Sequence, residues 1–236
     1  MTTCNTLERV AGRVDAAGLV VRGAFHCDPG EPVMLPDGRG AATLVLLGGA
    51  GRDGFQAFRR SPEWGTGGHP LDRFTERVVA EIAGELDAAA LFPHQGPPWL
   101  PFQRWAARAE PVSRSPLGIL IHPRHGLWHA YRAALAFARP LDGVHPPAPA
   151  ASPCDACDGR PCLTACPVDA FSASGGYDVA ACAAYLARPG GQRCLEHGCQ
   201  ARLACPAGAG ERYGAEQMRF HMAAFARARG VDPGPD

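Results

Sequence analysis

Apolar positions recur along the first half of the chain with two periods. Leu7, Val10, Val14 and Ala17 fall at helical spacing and predict an amphipathic helix over residues 5–17. Leu19–Phe25 reads as a strand closed by the turn Asp28-Pro29-Gly30, and residues 28–40 form a Pro/Gly loop. Thr43–Leu47 is continuously apolar, as in a strand buried on both faces. Leu71, Phe74, Val78, Ile82 and Leu86 mark the clearest helix, over 71–87, with Pro70 as an acceptable first helical residue. The pattern then predicts a strand over 88–92, a helix over 102–109, and two strands, or a strand and a longer element, over 116–121 and 127–137. From Arg139 to Pro153 it lapses into a stiff, proline-rich linker, and a domain boundary is placed at 145/146. Helices are predicted over 179–186 and 215–229, the second with Met218, Met222, Phe225 and Ala226 on one side, a stripe that reads as packing.

Between the linker and the closing helix lie eight of the ten cysteines. They run Cys154-x2-Cys157-x4-Cys162-x3-Cys166-Pro167, then Cys182, then Cys194-x4-Cys199-x5-Cys205-Pro206. Eight thiols in two Cys-Pro-terminated clusters match the ligand count of two four-iron clusters. In the bacterial dicluster pattern the cysteine before each proline ligates the other cluster. On that pattern Cys154, Cys157, Cys162 and Cys205 hold one cluster, and Cys166, Cys182, Cys194 and Cys199 the other. The spacing departs from the ferredoxin form: Asp158-Gly159-Arg160-Pro161 adds two residues between the second and third cysteines, and the second motif is looser still. Two structural zincs would use the same count, although only Cys154/Cys157 has the short zinc spacing. Disulfides would need an oxidising compartment, and residues 1–5 lack the basic and apolar regions of an export signal. Cys4 and Cys27 stand apart and read as small buried hydrophobes.

Charge narrows the partners. The formal net charge is zero, and all 23 basic residues are arginine. No basic surplus argues for nucleic acid. No apolar stretch approaches the roughly 20 residues that span a bilayer. The expectation is a soluble cytoplasmic protein with no nucleic-acid or membrane partner. Gly49-Ala50-Gly51-Arg52-Asp53-Gly54 is a literal G-x-G-x-x-G, but no second strand with an acidic end follows in range, so it reads as a chance match rather than a dinucleotide site. His122, His125 and His129 have tempting metal spacings, yet Pro123 and Gly126 break any helix that would align them. No nucleophile arrangement or Walker loop stands out.

Ile121-His122-Pro123-Arg124-His125-Gly126-Leu127-Trp128-His129-Ala130-Tyr131-Arg132 resembles the I-H-P-R-x-G-x-W-x-A-x-R stretch of cobalamin-processing proteins of the CblC (MMACHC) type. The likeness extends back through His69-Pro70-Leu71-Asp72-Arg73-Phe74 to Thr43–Leu47, and covers roughly residues 43–145. It implies a flavin-nitroreductase-like α/β sandwich over residues 1–145, with a corrinoid pocket involving the His94–Trp99 loop and the His122–Arg132 segment: His94, Trp99, His122, Trp128 and Arg132. The second half, 146–236, resembles the dicluster ferredoxin-like domain of epoxyqueuosine reductases and reductive dehalogenases. There a Cys-x-x-Tyr-Leu ligand corresponds to Cys182-Ala183-Ala184-Tyr185-Leu186. Cysteines stand where the processing family has C-terminal arginines for glutathione.

Together these readings predict an α+β chain that takes electrons from an external donor (a ferredoxin, flavodoxin or reductase). It passes them through two 4Fe-4S clusters to a corrinoid in the first domain. The rival readings are an electron carrier or redox subunit without corrinoid, a reductase using FMN in the same fold, and a zinc-stabilised interaction protein.

Overall fold

The computed structural model describes residues 6–174 and 176–234. In chain order the elements are α1 (Thr6–Ala16), β1 (Val20–His26), β2 (Thr43–Ala50), α2 (Asp53–Arg59), α3 (Pro70–Leu86), β3 (Ala89–Leu91), α4 (Phe102–Ala109), β4 (Ser113–Arg114), β5 (Leu120–Ile121), β6 (His129–Phe137), α5 (Pro161–Thr164), α6 (Val179–Leu186), α7 (Gln192–His197), α8 (Gln200–Ala204) and α9 (Ala215–Arg227). The mixture of helices with a small antiparallel sheet agrees with the α+β class expected from the sequence. No described helix is long and apolar enough to cross a membrane.

The chain divides into two compact units, and neither is continuous in sequence. The first takes residues up to Pro111 together with His129–Pro149, and the second takes Val112–Trp128 and the residues from Ala150 onward. A single boundary at 145/146 therefore lies near one of three crossings, and the excursion 112–128 goes with the cysteines. Spacing along the chain carries no signal for such a long-range exchange.

In the first unit the sheet order is β1-β2-β6-β3, with antiparallel neighbours throughout. Leu44, Val45, Leu46 and Leu47 of β2, and Ala133 to Phe137 of β6, have no exposed surface, as the continuous apolar run predicted. The G-x-G-x-x-G does join a strand to a helix, but β2 has only antiparallel partners, so it belongs to no parallel βαβ unit. The expected helix over 5–17 is seen from Thr6, and residue 5 lies outside the described residues.

At one end of the sheet Arg22 is 2% exposed and pairs with Glu110 at 2.9 Å, while the Tyr131 hydroxyl donates to Glu110 at 2.5 Å. Burial pushes the Glu110 carboxyl up, against the pull of Arg22 and Tyr131. Here the bulges of β1 and β2 bring backbones close: a Cβ at Gly48 would lie 1.8 Å from the Ala130 carbonyl oxygen.

In the second unit the strand expected over 116–121 is replaced by the two-residue pair β4 and β5. Pro116 lacks a ladder donor and Gly118 takes φ +76°, so 115–119 form a turn in which Ser115 donates from backbone and hydroxyl to the Ile119 carbonyl. β6 likewise starts only at His129, because Gly126 closes a tight turn bridged to His122. Leu117, Ile121 and Leu127 then pack with Cys162, Ala201 and Cys205, so the excursion supplies apolar cover for the cysteines.

Candidate functional site

The x4 spacing that departs from the ferredoxin form is absorbed locally. Gly159 and Arg160 both take positive φ, +69° and +39°, which turns the chain back on itself. Pro161 then opens α5, and Cys162 is its second residue. Cys166 follows just past the end of α5. Cys182 sits in the first turn of α6, whose Asp178 cap accepts the Ala181 amide at 2.8 Å. Cys194 lies in α7, Cys199 caps α8 and Cys205 ends it.

These elements sort the eight cysteines into two groups. Cys154, Cys157, Cys162 and Cys205 line one hollow together with Pro116, Ile121 and Pro161. Burial pushes up the Cys162 and Cys205 thiols, and Cys154 and Cys157 add to the shift in both. The other four influence one another in the same way. After burial, Cys166 raises Cys182, Cys182 and Cys166 raise Cys194, and Cys194 and Cys182 raise Cys199. Each Cys-Pro cysteine thus stands with three cysteines from the other motif. Four thiolates in one buried group repel each other unless a cationic centre compensates them, and soft sulfur donors select iron–sulfur clusters or zinc.

Hydrogen-bond donors surround the sulfurs. The Ala170 amide donates to Cys166 Sγ at 3.4 Å. The Gln200 amide favours the Cys194 thiolate, and those of Arg202 and Ala201 favour Cys199. In the first group the Ser152 hydroxyl serves Cys154 and the Ala207 amide serves Cys205. The Tyr177 hydroxyl is pushed up, first by burial and then by the neighbouring Cys182. Sequence reasoning missed these groups, because a donor to sulfur has no spacing signature.

The nine described cysteines are all free thiols. Cys27 is half-buried rather than buried as the sequence suggested, and Cys4 lies outside the described residues. Among the described residues no three His, Cys, Asp or Glu side chains converge as for a single metal ion. The His122 and His125 rings lie tilted at 4.7 Å, but His122 Nδ1 accepts the amides of Arg124 and His125, at 3.0 and 3.2 Å, and so caps the turn. His129 belongs to β6 in the first unit.

The overall architecture resembles solved structures of two kinds. The B12-trafficking protein CblC of C. elegans, a human MMACHC homologue, aligns at TM-score 0.53 and 15% identity over 94% of this chain and 93% of that one. Epoxyqueuosine reductase from Streptococcus thermophilus aligns at 0.50 and 14%, covering 87% of this chain and 67% of that chain. A further epoxyqueuosine reductase, solved with an epoxyqueuosine-modified tRNA-Tyr stem loop, aligns at 0.50 and 16%, covering 89% and 68%. The fold is shared. No family model matches the sequence, and no curated protein matches it.

The residues expected around a corrinoid fall in both units. His94, Trp99 and Arg132 belong to the first, and His122 and Trp128 to the second. His94 pairs with Glu76 at 2.7 Å, and Trp99 is 65% exposed at a loop tip. Arg132 lies on β6. Trp128 is buried, meets Tyr213 edge-on at 5.3 Å and lies under the Arg202 guanidinium at 4.5 Å, while Arg202 donates to the Leu127 carbonyl. In the second unit, then, the I-H-P-R-x-G-x-W stretch has a packing role: its hairpin lies against the loop after Cys205. A Cβ at Gly126 would come within 2.0 Å of the Ala207 carbonyl oxygen.

Proposed function

We propose that this chain is an iron–sulfur redox protein. Cys154, Cys157, Cys162 and Cys205 hold one 4Fe-4S cluster, and Cys166, Cys182, Cys194 and Cys199 hold the second, in a ferredoxin-like region that covers 146–236. The observation that carries the reading is the sorting of eight buried or half-buried thiols into two groups of four, each completed by the Cys-Pro cysteine of the other motif. Their donor set fits the clusters: four thiolates per cluster, with amide and hydroxyl donors directed at the sulfurs. The clusters supply one-electron transfer, and a corrinoid in the nitroreductase-like first unit is the acceptor, reduced with electrons from an external donor in the cytoplasm. Support for the corrinoid comes from the I-H-P-R-x-G-x-W-x-A-x-R stretch and from a fold shared with a B12-trafficking protein over nearly the whole chain. With no lysine and no net charge, a small molecule suits the first unit better than a tRNA.

Reconstituted under anaerobic conditions, the protein is expected to hold about eight irons per chain. Cys205→Ala removes the same EPR signal as Cys154→Ala, and Cys166→Ala removes the other. Loss of the same signal by Cys205→Ala and Cys166→Ala would overturn the partition, and stoichiometric zinc without iron would overturn the reading. A cobalamin titration of the loaded protein tests the acceptor. A changed corrin spectrum with cobalt reduction on supplying electrons supports it, and an unchanged spectrum leaves an electron carrier or, with FMN bound, a flavin reductase.

A further inference from the structure

We infer that Arg202 is a counter-charge shared by the two clusters, and that its guanidinium favours the reduced, more negative state of both. The inference rests on the two-cluster reading above. Arg202 lies at the middle of α8, the helix with Cys199 at its start and Cys205 at its end, so it is equally far along the chain from a ligand of each group. Its carbonyl accepts the Cys205 amide at 3.3 Å, and the Leu203 amide bonds to the Cys199 carbonyl at 3.0 Å. Geometry fixes the guanidinium from several sides. It donates to the Leu127 carbonyl, and it lies 4.5 Å from the centre of the Trp128 ring and 4.7 Å from that of the Tyr213 ring, both buried. Leu127 belongs to the apolar cluster that contains Cys162 and Cys205 and has Cys154, Cys166 and Cys199 packed against it. Thiols of both groups therefore adjoin the residue whose carbonyl holds the cation.

The consequence follows from charge. Aromatic faces attract a cation without neutralising it, and the Arg202 Nε is shielded from water with no hydrogen-bond partner. No carboxylate among the described residues forms an ion pair with Arg202, and Glu211 faces Arg124 and His125 instead. A charge held out of water needs an opposite charge nearby, and the thiolate groups at the two ends of α8 supply it. Each reduction adds negative charge to a cluster, and a fixed cation stabilises that added charge. Removing the cation therefore lowers the potential of both clusters.

The test compares three variants. Arg202→Met keeps an apolar stem between the rings and deletes the charge, Arg202→Gln keeps a donor as well, and Arg202→Lys keeps the charge but not the planar stacking group. Redox titrations are followed by EPR, with Cys154→Ala and Cys166→Ala identifying the two signals. In the Met and Gln variants the oxidised-to-reduced ratio of both clusters at fixed potential is expected to rise about tenfold, or about 59 mV for a one-electron couple. Arg202→Lys is expected to keep most of the wild-type ratio. Full iron loading of the neutral variants with either potential unchanged overturns the inference. So does an equal fall in Arg202→Lys, which would trace the shift to lost stacking rather than lost charge. Absence of iron–sulfur clusters from the wild-type protein overturns instead the reading beneath it. If the neutral variants fail to load, iron content decides: loading retained by Arg202→Lys supports the counter-charge, and loading lost there too overturns it.

Discussion

Glu63 and Arg77 show how far one surface pair reaches. The Arg77 guanidinium donates to both Glu63 oxygens, at 2.7 and 3.1 Å, and these bonds hold the carboxyl down at about 2. An unfolded glutamate titrates near 4.3. The folded value lies below the unfolded one, so the pair's contribution to stability is present above that unfolded value and is lost as the pH falls toward 2. Solvent screens the pair, so the effect on stability is small and the titration itself is the better observable. An NMR titration is expected to find Glu63 ionised down to about pH 2. Arg77→Ala returns its midpoint to the ordinary carboxylate range. An unchanged midpoint in the variant would show that the guanidinium is not the cause.

At the scale of elements, the hairpin His122–Gly126 and the loop after Cys205 meet backbone to backbone. Gly126 has φ +54° and Gly208 φ +66°, and a Cβ on either would intrude on the other segment, 2.0 Å from the Ala207 oxygen or 2.4 Å from the His125 carbonyl carbon. Gly126→Ala must therefore push the Cys205 loop away, at a cost of about 1–3 kcal/mol. The expected outcome is partial loss of the EPR signal that depends on Cys154, with the Cys166-dependent signal retained. Equal loss of both, or of neither, would contradict this local account. Elements of this kind divide by how much of their cause is local. Residues 102–109 and 179–186 are helices as their own spacing predicts. β4 and β5 are two residues each, too short to display a period, and they exist because Pro116 and Gly118 make a turn. The cysteines are legible as a set from their count and their Cys-Pro endings. The groups around them, Ser152 and the Ala170 amide among them, are brought near only by folding.

Across the whole molecule the two units draw their stability from different sources. The first has a sheet whose central strands are fully buried, backed by α3 with Phe74, Val78, Val79, Ile82 and Leu86 inside. The second has α5, α7 and α8 of four, six and five residues, each too short to persist alone. Its apolar clusters incorporate the thiols themselves: Cys162 and Cys205 with Leu117, Ile121 and Leu127, and Cys194 with Leu186 and Leu195. On the two-cluster reading this core is built partly from ligands and depends on what they hold, because metal-binding free energy becomes folding free energy when the site is absent from the unfolded chain. Removal of iron is therefore expected to split one thermal transition into two, with the second unit melting first. Hydrogen exchange should accelerate over 154–205 while β2 and β6 remain protected. The excursion 112–128 sharpens the test, since Leu117, Ile121 and Leu127 lose their cysteine partners although they lie far from them in sequence. Their amides should exchange with those of the cysteine segment rather than with their neighbours in α4 and β6. Uniform protection across both units after complete iron removal would mean that the cysteine unit folds without its clusters.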